Sequence, residues 1–302
     1  MVSTSNTKPG SDRREIMARA EARRAGHDFG RRKSVNNLAS FLQQRARELQ
    51  HKTALELVET PDETVTYGEL ANRSIAVAKE LIGAGVRSGD RVAILSEGQP
   101  AWVTTFFGIL HAGAIAVPLD TKLTIDELRN QLNHCGATLL FASDALAGVA
   151  KELPVRCQPL TQVALTMSQA GRRGRASSKL QKSADVRPVA RAASDPAVIT
   201  YTSGTTGKPK GVVTSHGNLL FQVHAFRAIK LNSPPVSAVS FLPLNHLFEL
   251  TAGMLGILFG GGQICYCRQI TPEAIVAAMR CSRPNGMVAV PLFLTAVKAA
   301  IE

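Results

Sequence analysis

The chain is 302 residues long and 45% hydrophobic, enough apolar material for one large domain or two subdomains with a core, which excludes a wholly disordered protein. Its 35 Lys and Arg against 23 Asp and Glu give a net charge of +12 at pH 7, but the excess is local. Residues 1–33 carry nine basic groups against four acidic ones and residues 171–191 carry seven against one, so the remaining body is nearly neutral and a basic nucleic-acid-binding surface is excluded.

The five cysteines lack paired CxxC or Cys/His spacing, which points to reduced thiols in an intracellular protein and to no structural metal. The N-terminus has no apolar signal-peptide core, and Asp12, Glu15, Glu21 and Asp28 argue against a transit peptide. The apolar run from Leu250 to Cys267 is interrupted by Gly260, Gly261 and Gly262 and carries Gln263, so it reads as a buried helix followed by a strand and not as a membrane span.

In chain order, residues 1–33 are expected to form a mobile basic tail, because so polar a segment cannot bury enough surface to offset its ordering entropy. Leu38, Phe41, Leu42, Ala46 and Leu49 recur at helical spacing; an extended stretch Ala54 to Val58 follows, then Val65 and Thr66 after a Pro61-Asp62 turn. Thr66 with Glu69 forms a capping box opening a helix to about Gly83 or Gly85. Strand Arg91 to Ser96, helix Pro100 to His111, strand Ile115 to Leu119, helix Thr124 to Cys135 and strand Thr138 to Ala142 come next, with a second capping box at Thr124 and Glu127 and a stop at Gly136. This alternation predicts an α/β fold of open, mostly parallel sheets covered by helices. Residues 168–194, rich in Gly, Ser and basic groups, are expected to be a linker or mobile insert between a first α/β subdomain, 34–167, and a second, 195–302.

The second part continues with strands Ala197 to Thr202 and Gly211 to Thr214, a helix from about Asn218 to Lys230 and strand Val236 to Leu242. A helix near Leu247 to Phe259, strand Gln263 to Tyr266, helix Glu273 to Cys281, strand Met287 to Val290 and an amphipathic stretch Leu292 to Glu302 complete it. That last stretch carries no cap, and the fold is expected to stop incomplete at residue 302.

The chemistry concentrates in Tyr201-Thr202-Ser203-Gly204-Thr205-Thr206-Gly207-Lys208-Pro209-Lys210-Gly211. Glycines let backbone N–H groups approach an anion, hydroxyls add donors and a lysine adds a mobile charge, which together make a polyphosphate cradle. A Walker loop does not fit, since Thr202 stands where its first glycine belongs, and Tyr201 likewise breaks the nucleophile elbow. The β-branched Val212, Val213 and Thr214 after the loop predict that it joins two strands.

Thr202 to Gly211 resembles the signature phosphate loop of the AMP-forming acyl-adenylate superfamily of acyl-CoA synthetases, luciferases and peptide-synthetase adenylation domains. Further stretches agree: Thr66-Tyr67-Gly68-Glu69-Leu70, Ile94-Leu95-Ser96, Phe106 to Gly113 and Val117-Pro118-Leu119-Asp120. Leu242 to Glu249 resembles the segment lining the family's acyl and adenylate pocket, and with Val290 to Phe293 it leans toward long-chain fatty acyl-CoA synthetases.

The resemblance, running from about Ser34 to Glu302, implies the N-terminal domain of an acyl-adenylate-forming enzyme. A carboxylate, a fatty acid by this reading, attacks the α-phosphorus of Mg2+-ATP to give acyl-AMP, and coenzyme A or a carrier-protein thiol then takes the acyl group. Thr202, Ser203, Gly204, Thr205, Thr206, Gly207 and Lys210 would hold the β- and γ-phosphates, Lys210 as a catalytic cation, and His246 would orient the carboxylate. His246 is otherwise a helix N-terminal histidine, and Glu249 either lines the pocket or is a first-turn charge on the helix dipole. No metal ligand is assigned. The family's later Mg-binding glutamate, ribose-binding aspartate and closing-domain lysine have no counterpart here, so the 302 residues alone are expected to be inactive, and a non-catalytic scaffold remains the other reading. Partners are small molecules without specific nucleic acid, in the cytoplasm with at most peripheral membrane contact.

Overall fold

The computed structural model describes residues 37–60, 64–160, 188–202, 210–228, 236–267 and 271–291. The expected tail and the stretch Leu292 to Glu302 lie outside them.

Helix α1 (Leu38–Glu48) starts where the Asn37 side chain accepts from the Ser40 amide at 2.8 Å, and it buries Leu38, Phe41, Leu42 and Ala46. Strands β1 (Thr53–Leu57) and β2 (Val65–Thr66) lead into α2 (Tyr67–Gly83), whose capping box pairs Thr66 with Glu69 in both directions. β3 (Arg91–Leu95), α3 (Pro100–His111), β4 (Ile115–Pro118), α4 (Ile125–Cys135) and β5 (Ala137–Ala142) then alternate as the sequence predicts. Gly136 ends α4 at φ 62°, a left-handed conformation that favours glycine.

The short α5 (Ala147–Lys151) and β6 (Cys157–Pro159) were not expected. After them come β7 (Pro196–Thr202), β8 (Lys210–Ser215), α6 (His216–Ala228) and β9 (Ser237–Ser240). The helix starts at Leu247 as expected, but Glu249–Gly256 is a π-helix, and beyond it Ile257–Phe259 (α7) is α-helical. Thr251 bears on this: its hydroxyl donates to the Leu247 carbonyl at 2.7 Å, competing with the backbone ladder at the first turn. β10 (Gln263–Tyr266), α8 (Pro272–Ser282) and β11 (Gly286–Met287) complete the fold, β11 ending short of the expected Val290.

The strands form two sheets, ordered β6-β5-β3-β4-β7-β8 and β11-β9-β10-β1-β2. All pairings are parallel except the edge pairs β7–β8 and β1–β2. This corrects the expected division at 168–194. β1 and β2, from the first half, complete the sheet of β9–β11, while β7 and β8, from the second half, complete the sheet of β3–β6. Nor are the last residues of that stretch a free linker. The Val189 amide donates to His111 O at 2.9 Å, Arg191 donates to Ser88 Oγ at 3.0 Å, and Arg191 pairs with Asp195 at 3.2 Å.

The core explains the layering. On the six-stranded sheet, Ala93, Leu95, Val117, Leu140 and Ala142 pack outward under α4 and α5, while Val92, Ile94, Ala116 and Phe141 face inward. The inward layer holds α1, α2, α3, α6 and the π-helix, and beyond it Leu55, Ala238 and Ile264 present the inner face of the second sheet. Val239, Cys265 and Cys267 then meet α8 on the outside. The molecule is thus five layers, helix–sheet–helix–sheet–helix. α3 lies between two sheets and is buried on all sides from Trp102 to His111, as that position requires, with Trp102, Phe106, Phe107 and Leu110 supplying most of its bulk. It crosses α2 closely at Gly108, where an added Cβ would stand 2.4 Å from Val77 Cβ.

Candidate functional site

The loop residues are held by the edge hairpin of the first sheet. β7 runs parallel to β4, so its last residues emerge at the same carboxyl edge as the turn Ser96–Gln99 after β3, where open α/β sheets bind ligands. β8 returns antiparallel, and the final rung pairs Thr202 with Lys210. Both are exposed. A hydroxyl and a lysine cation therefore flank the two ends of segment 203–209. Ser203, Gly204, Thr205, Thr206 and Gly207 lie outside the described residues.

One rung back, Tyr201 faces Gly211. An added Cβ on Gly211 would lie 3.5 Å from Cε1 and Cζ of the tyrosine, so the ring covers the glycine. The Tyr201 hydroxyl donates to the carbonyl of Gln131 at 2.9 Å and lies 2.9 Å from His134 Nδ1, both in the last turns of α4. Burial and the neighbouring Cys135 thiol hold the phenol well above its usual range.

The second group of expected residues follows β9. His246 is exposed; its amide donates to Pro243 O at 3.1 Å and its carbonyl accepts from Leu250 at 3.0 Å, opening the π-helix. Glu249 points the other way and is only 1% exposed. It lies in the first turn of the π-helix, with its side chain buried and not in solvent. Ser240, at the end of β9, donates through Oγ to Glu249 Oε1 at 2.5 Å, while Oε2 has no partner among the described residues. Gly253 makes room for the carboxyl, since a Cβ there would come within 2.3 Å of its Cδ. Burial raises the carboxyl to about pH 7, with the Ser240 hydrogen bond pulling the other way. Tyr266, at the end of β10, is buried with its hydroxyl unpartnered among the described residues, and burial plus the charge of Glu249 push its titration up. An added Cβ on Gly98 would sit 3.1 Å from Tyr266 Cδ1 and 3.8 Å from a Leu244 methyl. The carboxyl edges of the two sheets thus meet at Gly98.

Thr202 and Lys210 are brought together; His246 and Glu249 stand on the other sheet and share no hydrogen bond with them among the described residues. Ser240, Tyr266 and Gly253 were missed by the sequence reading. Gly253, four residues after Glu249 in a helix, shares its face and leaves open the space that a larger side chain there would fill. Of the remaining histidines, His216 is buried and its Nδ1 accepts from the Leu38 amide at 3.4 Å, while His224 stands edge-on to Phe41. His111 is buried with both ring nitrogens unpartnered among the described residues; desolvation lowers it and His216 to about 4. Cys265 and Cys267 are buried and form no disulfide, and no group of three metal-ligating side chains occurs among the described residues. No described helix is long and apolar enough to cross a membrane.

The family model described as AMP-binding enzyme matches residues 42–301. The chain belongs to this family. Within it, the chain is 32% identical over 265 residues to a feruloyl-CoA synthase of Amycolatopsis sp., covering 87% of itself and 50% of that enzyme. It is 34% identical over 201 residues to a long-chain-fatty-acid–CoA ligase of Mycobacterium bovis, covering 63% of itself and 33% of the ligase. Among solved structures it resembles o-succinylbenzoate CoA synthetase of Bacillus subtilis in complex with its acyl-adenylate intermediate, at TM-score 0.70 and 25% identity, covering 86% of itself and 63% of that chain. A complex of the same synthetase with ATP and magnesium ion gives TM-score 0.69 at 25% identity, with 85% and 65% covered. The chain therefore spans half or less of these curated relatives.

Proposed function

We propose that this chain is the phosphate-binding portion of an AMP-forming carboxylate–CoA ligase. The observation that carries the reading is the β7–β8 hairpin, whose last rung sets Thr202 against Lys210 at the carboxyl edge of a parallel sheet in an AMP-binding family member. An exposed hydroxyl and an exposed ammonium flanking a glycine- and threonine-rich segment fit the donor set that a triphosphate demands.

In this reading Thr202, Ser203, Gly204, Thr205, Thr206 and Gly207 donate to the β- and γ-phosphate oxygens. Lys210 neutralises charge that develops on the departing pyrophosphate, an electrostatic contribution realised most strongly in the transition state. His246 orients the carboxylate, and Glu249 backs the segment that carries it. ATP with Mg2+ would supply the adenylyl group that the carboxylate takes as pyrophosphate leaves, and coenzyme A would accept the acyl group with release of AMP; no side chain of this chain is assigned to the metal or to coenzyme A. The substrate is a carboxylic acid. A long-chain fatty acid is the first candidate, supported by the sequence Leu242 to Glu249 and the ligase relative, and an aromatic acid of the ferulic type is the second, supported by the synthase relative.

The test is calorimetric titration of the chain with Mg-ATP beside Lys210→Ala. Binding weakened tenfold or more in the variant supports the reading, and equal binding overturns it. The 302 residues are read as unable to complete the reaction alone, so acyl-CoA formed from a fatty acid, ATP and coenzyme A by the purified chain would overturn that part.

A further inference from the structure

His246 rides on the loop between β9 and the π-helix, and that loop is closed from its buried side. It exposes His246, Leu247 and Phe248 and buries Phe241, Leu244 and, at its exit, Leu250. Apolar anchors are non-directional, so they set the depth of the loop and leave its orientation to hydrogen bonds. The His246 amide donates to Pro243 O at 3.1 Å and the Leu250 amide to His246 O at 3.0 Å, both local to the loop and its exit. Ser240 Oγ donates to Glu249 Oε1 at 2.5 Å, a bond that joins the last residue of β9 to the first of the π-helix across the neck of the loop. Both partners are buried, so the bond is made in a poorly hydrated place, where its loss matters most.

Glu249 makes this bond under a constraint. Its Oε2 has no partner among the described residues, and Gly253 of its own helix lies close against the carboxyl. Facing it are Ser240 from β9 and Tyr266 from β10, whose hydroxyl is likewise unpartnered among the described residues. α6, packed against the π-helix, brings Phe226 toward Gly256, and its histidines are engaged elsewhere, His216 by the Leu38 amide and His224 by Phe41. An anion at this place would keep one hydrogen bond and lack a second donor, so the neutral acid is the form the site tolerates. Burial, which raises the carboxyl to about 7, agrees. Ionisation therefore favours any excursion that carries Glu249 into water, and such an excursion opens the neck of the loop.

We propose that Glu249, through Ser240, is a positioning residue for His246: the buried bond closes the neck of loop 240–249, holds the backbone that carries the imidazole, and gives way as the carboxyl loses its proton. This rests on the reading of His246 as the residue that meets the substrate carboxylate. Glu249 is assigned no contact with substrate, so its removal should weaken binding without deleting a group that binds.

The test compares the unaltered chain with Glu249→Gln, which keeps an acceptor for Ser240 and cannot ionise, and with Glu249→Ala, Ser240→Ala and the double alanine variant. Protection of the His246 and Leu250 amides from hydrogen exchange is measured at pH 5 and pH 8, beside Val92 and Ile94 of β3, which report opening of the whole fold. Binding of the dodecanoyl sulfamate of adenosine, a stable mimic of an acyl-adenylate, is titrated by calorimetry on the same samples. In the unaltered chain His246 and Leu250 should open ahead of Val92 and Ile94, and their protection should fall at least about tenfold between pH 5 and pH 8, a fall absent from Glu249→Gln. At pH 5, Glu249→Ala and Ser240→Ala should each lose about tenfold in protection, the double variant losing no more than Glu249→Ala alone. The mimic should bind about tenfold more weakly to Glu249→Ala and normally to Glu249→Gln. Equal protection of His246 and Leu250 in Glu249→Ala and Glu249→Gln, or the same pH response in Glu249→Gln as in the unaltered chain, overturns the positioning role and leaves the pocket role of His246 standing. Exchange of His246 and Leu250 in step with Val92 and Ile94 in every protein also overturns it, because that is the signature of a structural role alone. A loop loosened in Glu249→Ala with undiminished binding of the mimic, or no binding by the unaltered chain, overturns the pocket role of His246 and this inference with it.

Discussion

Replacing Glu249 with glutamine should make the protein's stability respond to pH in a way the buried carboxyl dictates. Folding moves this carboxyl from its ordinary value of 4.5 to about 7, because it is taken out of water with one hydrogen bond, from Ser240, and one oxygen left without a partner. A raised folded-state value means that its contribution is fully present below pH 4.5 and is lost as pH climbs through 7. At 1.36 kcal/mol per pH unit of difference, the ionised form costs about 3 kcal/mol. Glutamine has nearly the same shape and never ionises. Glu249→Gln should therefore match the wild type within about 1 kcal/mol at pH 5 and exceed it by about 3 kcal/mol at pH 8. Urea unfolding of both proteins at the two pH values, followed by circular dichroism, measures this. The difference between the proteins is the quantity to use. His111 and His216, depressed to about 4 by burial, act in the opposite sense in each protein, withdrawing stability as pH falls from 6.5 toward 4, and so cancel. A stability difference that stays flat from pH 5 to pH 8 would show that Glu249 is hydrated in the folded state and refute the argument.

Three further outcomes test the scaffold. Gly108→Ala should destabilise by about 1–3 kcal/mol despite alanine's better helix propensity, since its methyl would meet Val77 Cβ at 2.4 Å, and a lowered thermal unfolding midpoint checks this. Arg91→Ala removes two hydrogen bonds from the last carbonyls of α4 and should cost about 1–3 kcal/mol in urea unfolding, with no loss expected if water caps that helix equally well. Thr124→Ala breaks the capping box with Glu127 at the other end of α4 and should cost about 1 kcal/mol, read as a lowered unfolding midpoint.

Local chemistry was legible in the sequence and long-range pairing was not. Pro100, the two capping boxes and Gly136 fix helix ends through bonds spanning three or four residues, and the structure has those ends where they were expected. Nothing local says that Leu55 lies beside Ile264, because apolar strands of the same length are interchangeable until their neighbours are known. β6 was missed because Cys157, Gln158 and Pro159 are too few, and two of them too exposed, to leave a pattern. The π-helix escaped because a continuous apolar run does not reveal its period. At the site, the loop's residue types announced phosphate chemistry and strand Gly211 to Thr214 announced the hairpin, whereas the inward turn of Glu249 depends on Ser240, nine residues upstream, and the fastening of Tyr201 depends on α4.

The crossed membership of the two sheets constrains how the chain can be made and cut. While the ribosome is still reading the middle of the message, β1 is already outside with Ala54, Leu55 and Leu57 ready to be buried, and its partner β10 does not yet exist. At translation speeds of about 5–20 residues per second, that wait lasts on the order of ten seconds or more, long enough to make the nascent strand a client for chaperones. The same crossing governs dissection. A nick between Leu160 and Pro188 would leave two fragments, each owning strands of both sheets, so neither can be prepared as a tidy domain. Mixed together, they should reassemble as a complementing pair or not fold at all.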